Sequence, residues 1–414
     1  MFCFVLYHYS ASSAPISFQF IMALKKENFL PKSMMTTYLK RLFIFCVFLP
    51  LVSSVIVSTK NGKIEGLTTS YPNATGQFKS VSKFLGVPFA APPTGELRFK
   101  APKPSEDWKP TVRQAKKHGP ICLQLKTYEY LLKPFSTDFS YSEDCLFLDV
   151  YTPNVSLRLP VLVYIHGGSY KYGSAITFPS DILALHGVVI VVIQYRLGPF
   201  GFLTTGDSAA PGNFGMLDQV EALNWIKHNI ENFGGNSNKV TIFGISTGGT
   251  SVGLHLMSPL SKGLFHQAIA ESGVDLSPFA IQPILFGLRF AKEIAKKLDC
   301  PTRDHKAMVD CIREKKASDI LKASGSITYR FYDHLSWAPV VDKNFLHDTP
   351  RDLRENKEFS KVRLMISFNS HEGATTLGYM VNASFGLMKS VDNGVSPALF
   401  KDFVTKLAHA RNTG

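Results

Sequence analysis

Lys-Val-Thr-Ile-Phe-Gly-Ile-Ser-Thr-Gly-Gly, residues 239–249, joins three structural signals in one short segment. The apolar run from Val240 to Phe243 is typical of a strand whose two faces are both covered in a parallel sheet. The run stops at Gly244, where a G-x-S-x-G pattern begins with Ser246 at its centre. The segment therefore predicts a buried strand, a sharp turn and a helix in direct succession.

The two glycines of this pattern have a steric explanation. The backbone doubles back at the turn, so a Cβ atom at Gly244 or Gly248 is expected to collide with the neighbouring strand or helix. Ser246 is thereby held clear of the sheet, and the N–H groups at the start of the following helix are directed at the same place. Such a turn can stabilise a developing oxyanion.

Composition sets the broad class of the protein. The 414 residues, 45% hydrophobic and 19% charged, can bury a large core. The formal net charge of +13 comes from basic residues that are scattered and not interleaved with aromatic ones. We therefore expect a solvated surface and no nucleic-acid binding.

The N-terminal region has the order of a secretory signal. Lys40-Arg41 precede the apolar run 42–52, and Ser53-Ser54 follow it. Translation from Met34 or Met35 would give a signal peptide of ordinary length. Otherwise the run could act as a signal anchor, but it is shorter than the ~20 residues of a spanning helix, which favours cleavage. We expect residues 1–54 to be an extension plus signal peptide, and residues 55–414 to form one domain.

The cysteines and glycosylation sequons agree with export. Once Cys3 and Cys46 are discounted with the signal, four cysteines allow three pairings, and spacing alone does not choose among them. We favour the local pairing, Cys122 with Cys145 and Cys300 with Cys311. Three N-x-S/T sequons are acceptors if the chain enters the secretory route, namely Asn73, Asn154 and Asn382.

Strand and helix patterns alternate along the chain, which favours a doubly wound α/β sheet. The N-terminal strands 55–67 and 78–87 are expected to be antiparallel. Later strands are predicted at 143–151, 159–165, 188–193, 265–270 and 362–368. Helices are predicted at 180–186, 219–232, 247–257, 279–298 and 308–323, with the last two covering the sheet.

Serine chemistry requires further groups beside Ser246. A serine hydroxyl needs a base, an acid that orients the base, and donors for the oxyanion. His166-Gly-Gly-Ser169 follows a predicted buried strand, where the second part of an oxyanion hole is expected. Glu372 follows the strand 362–368, as the chain order serine, acid, histidine requires.

From residue 55 to residue 382 the chain resembles the carboxylesterase/cholinesterase family, the type-B carboxylesterases of the α/β-hydrolase superfamily. The segments that carry the resemblance are long and specific. They are Phe84-Leu-Gly-Val-Pro-Phe-Ala-Ala-Pro-Pro, Glu143-Asp-Cys-Leu-Phe-Leu, Tyr195-Arg-Leu-Gly-Pro-Phe-Gly-Phe-Leu, Pro211-Gly-Asn, Gly215-Met-Leu-Asp-Gln and Asn232-Phe-Gly-Gly-Asn.

The resemblance implies an α/β-hydrolase fold with a mostly parallel central sheet and helices on both faces. It implies Ser246 as nucleophile and Glu372 as acid, with an oxyanion hole of main-chain N–H groups from Gly168, Ser169 and Thr247. It also supports the two local disulfides. The implied reaction is hydrolysis of a small-molecule carboxylic ester through an acyl-Ser246 intermediate, with no metal or organic cofactor.

The sequence departs from the family on either side of the serine. Ile245 stands where the family nearly always has glutamate, which removes a carboxylate beside the triad. Thr247 stands where the family has alanine. Both N–H donors and the nucleophile remain, so these changes predict altered activity rather than none.

The triad histidine is the larger departure. In the family it lies on a loop far beyond the acid, and we expect this chain to stop before that loop, lacking the last strand or strands. His255 is predicted to lie on the far face of its helix, and His371 to diverge from Glu372. His409 has no matching context, and His166 holds a structural position in the family. The alternative to an esterase is a catalytically inactive binding or adhesion protein with a protein partner.

Overall fold

A mixed β-sheet runs through the described part of the chain. The computed structural model describes residues 53–72, 76–327, 337–372 and 396–398 together with residues 401 and 405, and these belong to one compact unit within Val52–Gly414. The strands are β1 (Ser53–Thr59), β2 (Gly62–Pro72), β3 (Phe78–Pro88), β4 (Val112–Gln114), β5 (Ile121–Cys122), β6 (Tyr141–Ser142), β7 (Phe147–Thr152), β8 (Leu159–Ile165), β9 (Val189–Ile193), β10 (Gly235–Ile245), β11 (Gln267–Glu271) and β12 (Arg363–Ser367).

The sheet order places β10 among parallel neighbours. The strands follow the order β1-β2-β3-β7-β9-β8-β10-β11-β12, with β4 beside β2 and with β5 and β6 in a separate pair. Pairs from β9 to β12 are parallel, whereas pairs from β1 to β9 are antiparallel. The parallel strands β8, β9 and β10 are joined through helices, as crossover connections require. The predicted α/β class is confirmed, and its sheet is mixed.

The helices pack against this sheet. They are α1 (Glu129–Leu132), α2 (Asp181–Ala184), α3 (Gly198–Phe202), α4 (Phe214–Asn229), α5 (Thr247–Met257), α6 (Ile284–Lys297), α7 (His305–Glu314), α8 (Ala317–Gly325) and α9 (Pro350–Glu355). Every residue of α5 is buried. No helix among the described residues has the length and apolarity that crossing a membrane requires.

Some predicted elements match the structure, and others are each two shorter elements in it. β8 has the predicted bounds, and the helix predicted after Ser246 is α5. The single strand predicted at 55–67 is wrong, because a turn at Lys60 and Asn61 separates β1 from β2 in an antiparallel hairpin.

The predicted helix at 308–323 is also wrong. It breaks between α7 and α8 because Lys315 and Lys316 adopt extended backbone conformations, with ψ of 152° and 137°. The predicted crossover helix at 180–186 is only the short α2, and α6 begins at Ile284, directly after Pro283. Proline before the first helical residue lacks the N–H that a longer helix would use.

Both predicted disulfides are present. Cys122 is bonded to Cys145 and Cys300 to Cys311, with Cα–Cα distances of 4.9 Å and 5.7 Å. Disulfides of this kind persist in oxidising compartments. Residues 1–52 of the predicted signal region 1–54, and the sequons at Asn73 and Asn382, lie outside the described residues, whereas Ser53 and Ser54 belong to β1. Asn154 is exposed in the turn after β7.

A buried ion pair fixes the end of β9 to α4. The Arg196 guanidinium donates from Nε to Asp218 Oδ2 at 2.8 Å and from Nη2 to Oδ1 at 2.7 Å. The Arg196 N–H donates to the same carboxylate at 3.0 Å. The two side chains are 3% and 0% exposed. Removal of one member of such a pair leaves a buried charge without its counter-ion.

We predict that Asp218→Ala lowers the free energy of unfolding by about 3–5 kcal/mol, because Arg196 then loses its buried carboxylate. The matched control is Glu231→Gln, whose partner Arg158 is exposed, and its unfolding curve should stay close to that of the unmodified chain, because exposed ion pairs contribute little to stability. Urea denaturation with the disulfides intact measures both variants. Equal losses of stability in the two variants would contradict this prediction.

Candidate active site

Ser246 lies at the turn between β10 and α5 in an unusual backbone conformation. Its φ and ψ angles are 58° and −124°, and a positive φ is costly for a residue with a side chain. The Ser246 N–H donates to the carbonyl of Glu271 on the adjacent strand β11 at 2.8 Å. The side chain is partly exposed. The predicted strained strand-to-helix turn is therefore present.

The glycines of this turn are required by close backbone contacts. A Cβ atom on Gly244 would lie 2.5 Å from the carbonyl carbon of Gly248 and 2.7 Å from the Ile165 oxygen. A Cβ atom on Gly248 would lie 2.1 Å from the same Ile165 oxygen. These distances confirm the predicted collision with the neighbouring strand and helix.

The segment His166–Tyr170, here called the glycine loop, follows β8 and packs against the turn. A Cβ atom on Gly167 would lie 2.4 Å from the Ile245 oxygen and 3.1 Å from the Ser246 Cβ atom. Gly168 has a φ of 112°, and Ser169 has a φ of 56°. The structure therefore brings the loop that carries Gly168 and Ser169 directly against the backbone of the serine turn.

Buried groups hold the start of the glycine loop. The Tyr195 hydroxyl donates to the His166 carbonyl at 2.8 Å, and the two rings stack with centroids 4.4 Å apart. Burial lowers the pKa of His166 to about 4, although a hydrogen bond to the Gly167 carbonyl opposes this. His166 is therefore neutral at pH 7 and packs as a structural ring, as the resemblance implied.

Glu372 lies beyond β12 and is held by three donors from two residues. It accepts from Ser272 Oγ at 2.5 Å, from the Asn369 N–H at 2.8 Å and from Asn369 Nδ2 at 3.3 Å. The hydrogen bond from Ser272, followed by that from Asn369, lowers the pKa of Glu372. The carboxyl group is therefore ionised at neutral pH and oriented by its neighbours.

Ser272 contacts Glu372, and the sequence analysis did not single it out. It follows β11 with a φ of 51°, and its Oγ bonds directly to Glu372. The next residue, Gly273, lies so near the turn that a Cβ atom there would be 2.2 Å from the Ser246 oxygen. The available signal was the serine in Glu-Ser-Gly, residues 271–273, at the carboxyl end of a predicted strand.

Within the described ranges, no histidine ring is hydrogen-bonded to the Ser246 hydroxyl. His255 bonds instead to Ser261 Oγ at 2.7 Å and to Gln219 Oε1 at 2.9 Å. Burial lowers its pKa to about 3. The His371 ring bonds to Ser370, and His409 lies outside the described residues.

The two substituted positions beside Ser246 have different surroundings. Ile245 is 38% exposed, whereas Thr247 is only 1% exposed. The Thr247 hydroxyl accepts a hydrogen bond from the Tyr170 N–H at 3.4 Å. Among the described residues, no cluster of three or more histidine, cysteine, aspartate or glutamate side chains could hold a metal ion.

The arrangement defines a class of protein. Ser246 is at the carboxyl end of β10, the glycine loop is at the end of the adjacent β8, and Glu372 follows β12. A serine on a strand-to-helix turn with a glycine loop beside it is the arrangement of α/β-hydrolases.

The comparisons with known proteins give the family. The model of the carboxylesterase family matches residues 53–413. Liver carboxylesterase 1 of Mus musculus is 41% identical over 339 residues, which cover 77% of this chain and 58% of that protein. Carboxylesterase 1D of Rattus norvegicus is 40% identical over 79% of this chain and 61% of that protein. The liver carboxylesterase of Sus scrofa is 37% identical over 85% of this chain and 64% of that protein.

The chain therefore belongs to the carboxylesterase family, and its fold is the α/β-hydrolase fold. It spans about three-fifths of the length of the curated relatives that it matches.

We predict that Gly248→Ala lowers the free energy of unfolding by about 1–3 kcal/mol, because the new methyl group overlaps the Ile165 carbonyl at 2.1 Å. Gly325→Ala in α8 is the control, since its Cβ atom would meet only the flexible Leu125 side chain at 3.0 Å. Urea unfolding curves compare the two variants. A Gly248→Ala protein as stable as the control would show that the contact can relax without cost.

Proposed function

We propose that this domain is a serine carboxylic-ester hydrolase that acts through an acyl-Ser246 intermediate. The observation that carries the proposal is the packing of the glycine loop against Ser246, with only 3.1 Å between the Ser246 Cβ atom and a Cβ position at Gly167. This packing supports a single pocket in which the nucleophile and the oxyanion donors face the same carbonyl group. Family membership supports small-molecule esters as the substrate class.

In the proposed reaction, Ser246 Oγ attacks the ester carbonyl carbon and transfers its proton to a base. The carbonyl oxygen becomes an oxyanion, and the main-chain N–H groups of Gly168, Ser169 and Thr247 stabilise it. Collapse of this intermediate expels the alcohol, which takes up the proton, and leaves the acyl group on Ser246. Water then attacks the acyl group by the same steps and releases the carboxylic acid.

Glu372 has the role of the acid that orients the base. Its ionised carboxylate, with the pKa lowered by Ser272 and Asn369, can accept a hydrogen bond from an imidazole and stabilise the imidazolium ion. In this proposal the base is a histidine outside the described residues.

The second candidate function is an inactive member that binds a protein partner. It is favoured by one observation, that the Ser246 hydroxyl has no histidine partner within the described ranges, together with the Ile245 and Thr247 substitutions. The two candidates differ in one measurable property, the reactivity of Ser246.

We further propose that the domain comprises residues 55–414 and enters the secretory route after removal of the N-terminal segment. The two disulfides support an oxidising compartment, and the exposed Asn154 is a suitable acceptor for a glycan. Asn73 and Asn382 are proposed as further acceptors. N-terminal sequencing of protein secreted from cultured cells tests the cleavage. A terminus near Ser54 supports it, and a retained Met1 contradicts it.

We predict that a fluorophosphonate probe labels Ser246 and that Ser246→Ala abolishes the label. Glu372→Gln should lower hydrolysis of p-nitrophenyl acetate on the order of 10⁴-fold, because the base loses its orienting charge. The control is Ser237→Ala, a half-buried serine near the start of β10 whose hydroxyl donates to Glu231, and this variant should label and hydrolyse like the unmodified chain. A folded protein whose sequence extends through the histidine loop and that neither labels nor hydrolyses would refute the esterase proposal and leave the binding protein.

A further inference from the structure

The Thr247 hydroxyl has a contact that alanine, the residue usual in the family, cannot make. Thr247 is the first residue of α5, and its side chain is directed into the protein, where it is 1% exposed. The Tyr170 N–H at the end of the glycine loop donates to Thr247 Oγ1 at 3.4 Å. This bond joins the loop to the helix that begins at the nucleophile turn.

The same helix also holds the Tyr170 side chain. The Ser251 hydroxyl, one turn further along α5, lies 3.0 Å from the Thr247 carbonyl and 3.3 Å from the Tyr170 hydroxyl, the two acceptors open to its single proton. Tyr170 is fully buried, and its carbonyl accepts from the Gly198 N–H at 2.7 Å. The end of the glycine loop is thus held through its N–H group, its carbonyl group and its side chain.

The loop conformation requires such support. Gly168, Ser169 and Tyr170 have φ angles of 112°, 56° and 56°. Residues other than glycine are disfavoured in this region and persist there only where the surroundings determine the conformation. A rotation at Tyr170 would break its bond to Thr247 and would move the neighbouring N–H groups of Gly168 and Ser169.

We propose that Thr247 is a positioning residue, whose hydroxyl holds the glycine loop in the conformation that directs the Gly168 and Ser169 N–H groups at the ester carbonyl. This role is separate from that of the Thr247 N–H and rests on the proposed ester hydrolysis. Ser169 and Tyr170 have positive φ angles, and the hydroxyl stabilises this strained conformation. Glycines at these two positions would adopt it without such support.

The test compares three variants of the full chain. Thr247→Val keeps the shape of the side chain and removes the hydroxyl, Thr247→Ser keeps the hydroxyl, and Thr247→Ala removes the hydroxyl without a new methyl group. Amide hydrogen exchange at Tyr170 is the first readout. Loss of one neutral hydrogen bond should speed this exchange about fivefold to tenfold in the valine and alanine variants, and the serine variant should stay within about twofold.

Ester hydrolysis is the second readout. The valine and alanine variants should lose about fivefold to tenfold in kcat with KM unchanged, and serine should restore kcat. Unchanged Tyr170 exchange in both variants without the hydroxyl would overturn the inference, and so would a rise in KM at constant kcat. If exchange changes as expected while even the unmodified chain lacks hydrolysis, the loop contact is supported and the proposed function fails.

Discussion

The contact between the end of β8 and the start of α5 is the constraint on which the site depends. The Ile165 carbonyl lies so near both glycines of the serine turn that neither position has room for a methyl group. This contact fixes the distance between the strand that carries the glycine loop and the helix that follows Ser246. The positions of Ser246 and of the loop are therefore set mainly by the backbone, and side-chain contacts adjust them.

The same constraint explains why the elements around the turn are buried. α5 lies under the loop and beside the sheet, so all of its residues are buried and it has no solvent face. Polar groups taken into this interior must find partners. The Arg196 guanidinium binds Asp218, although its Nη1 atom is buried without a partner among the described residues, and His255 binds Ser261 and Gln219. The first pair joins the segment after β9 to α4, and the second joins α5 to α4 and to the turn that follows α5.

Local signals were sufficient for the elements next to the serine, because a buried apolar run and a glycine pattern describe β10 and α5 without distant contacts. The hairpin of β1 and β2 was not predictable in the same way, since Lys60 and Asn61 only weakly interrupt the alternation of polar and apolar residues. The break between α7 and α8 is at two lysines, which are good helix formers, so the tertiary contacts override propensity there. Ser272 contacts Glu372 and Tyr170 contacts Thr247, which are distant in sequence. Residue type alone does not predict such long-range contacts.

The two substitutions beside Ser246 lie in different surroundings. Thr247 is buried, so its hydroxyl can act only on the protein, and it bonds to the glycine loop. Ile245 is 38% exposed beside Ser246, so its apolar side chain meets solvent and brings no charge to this part of the surface. A carboxylate at the same position would carry a negative charge that attracts cations.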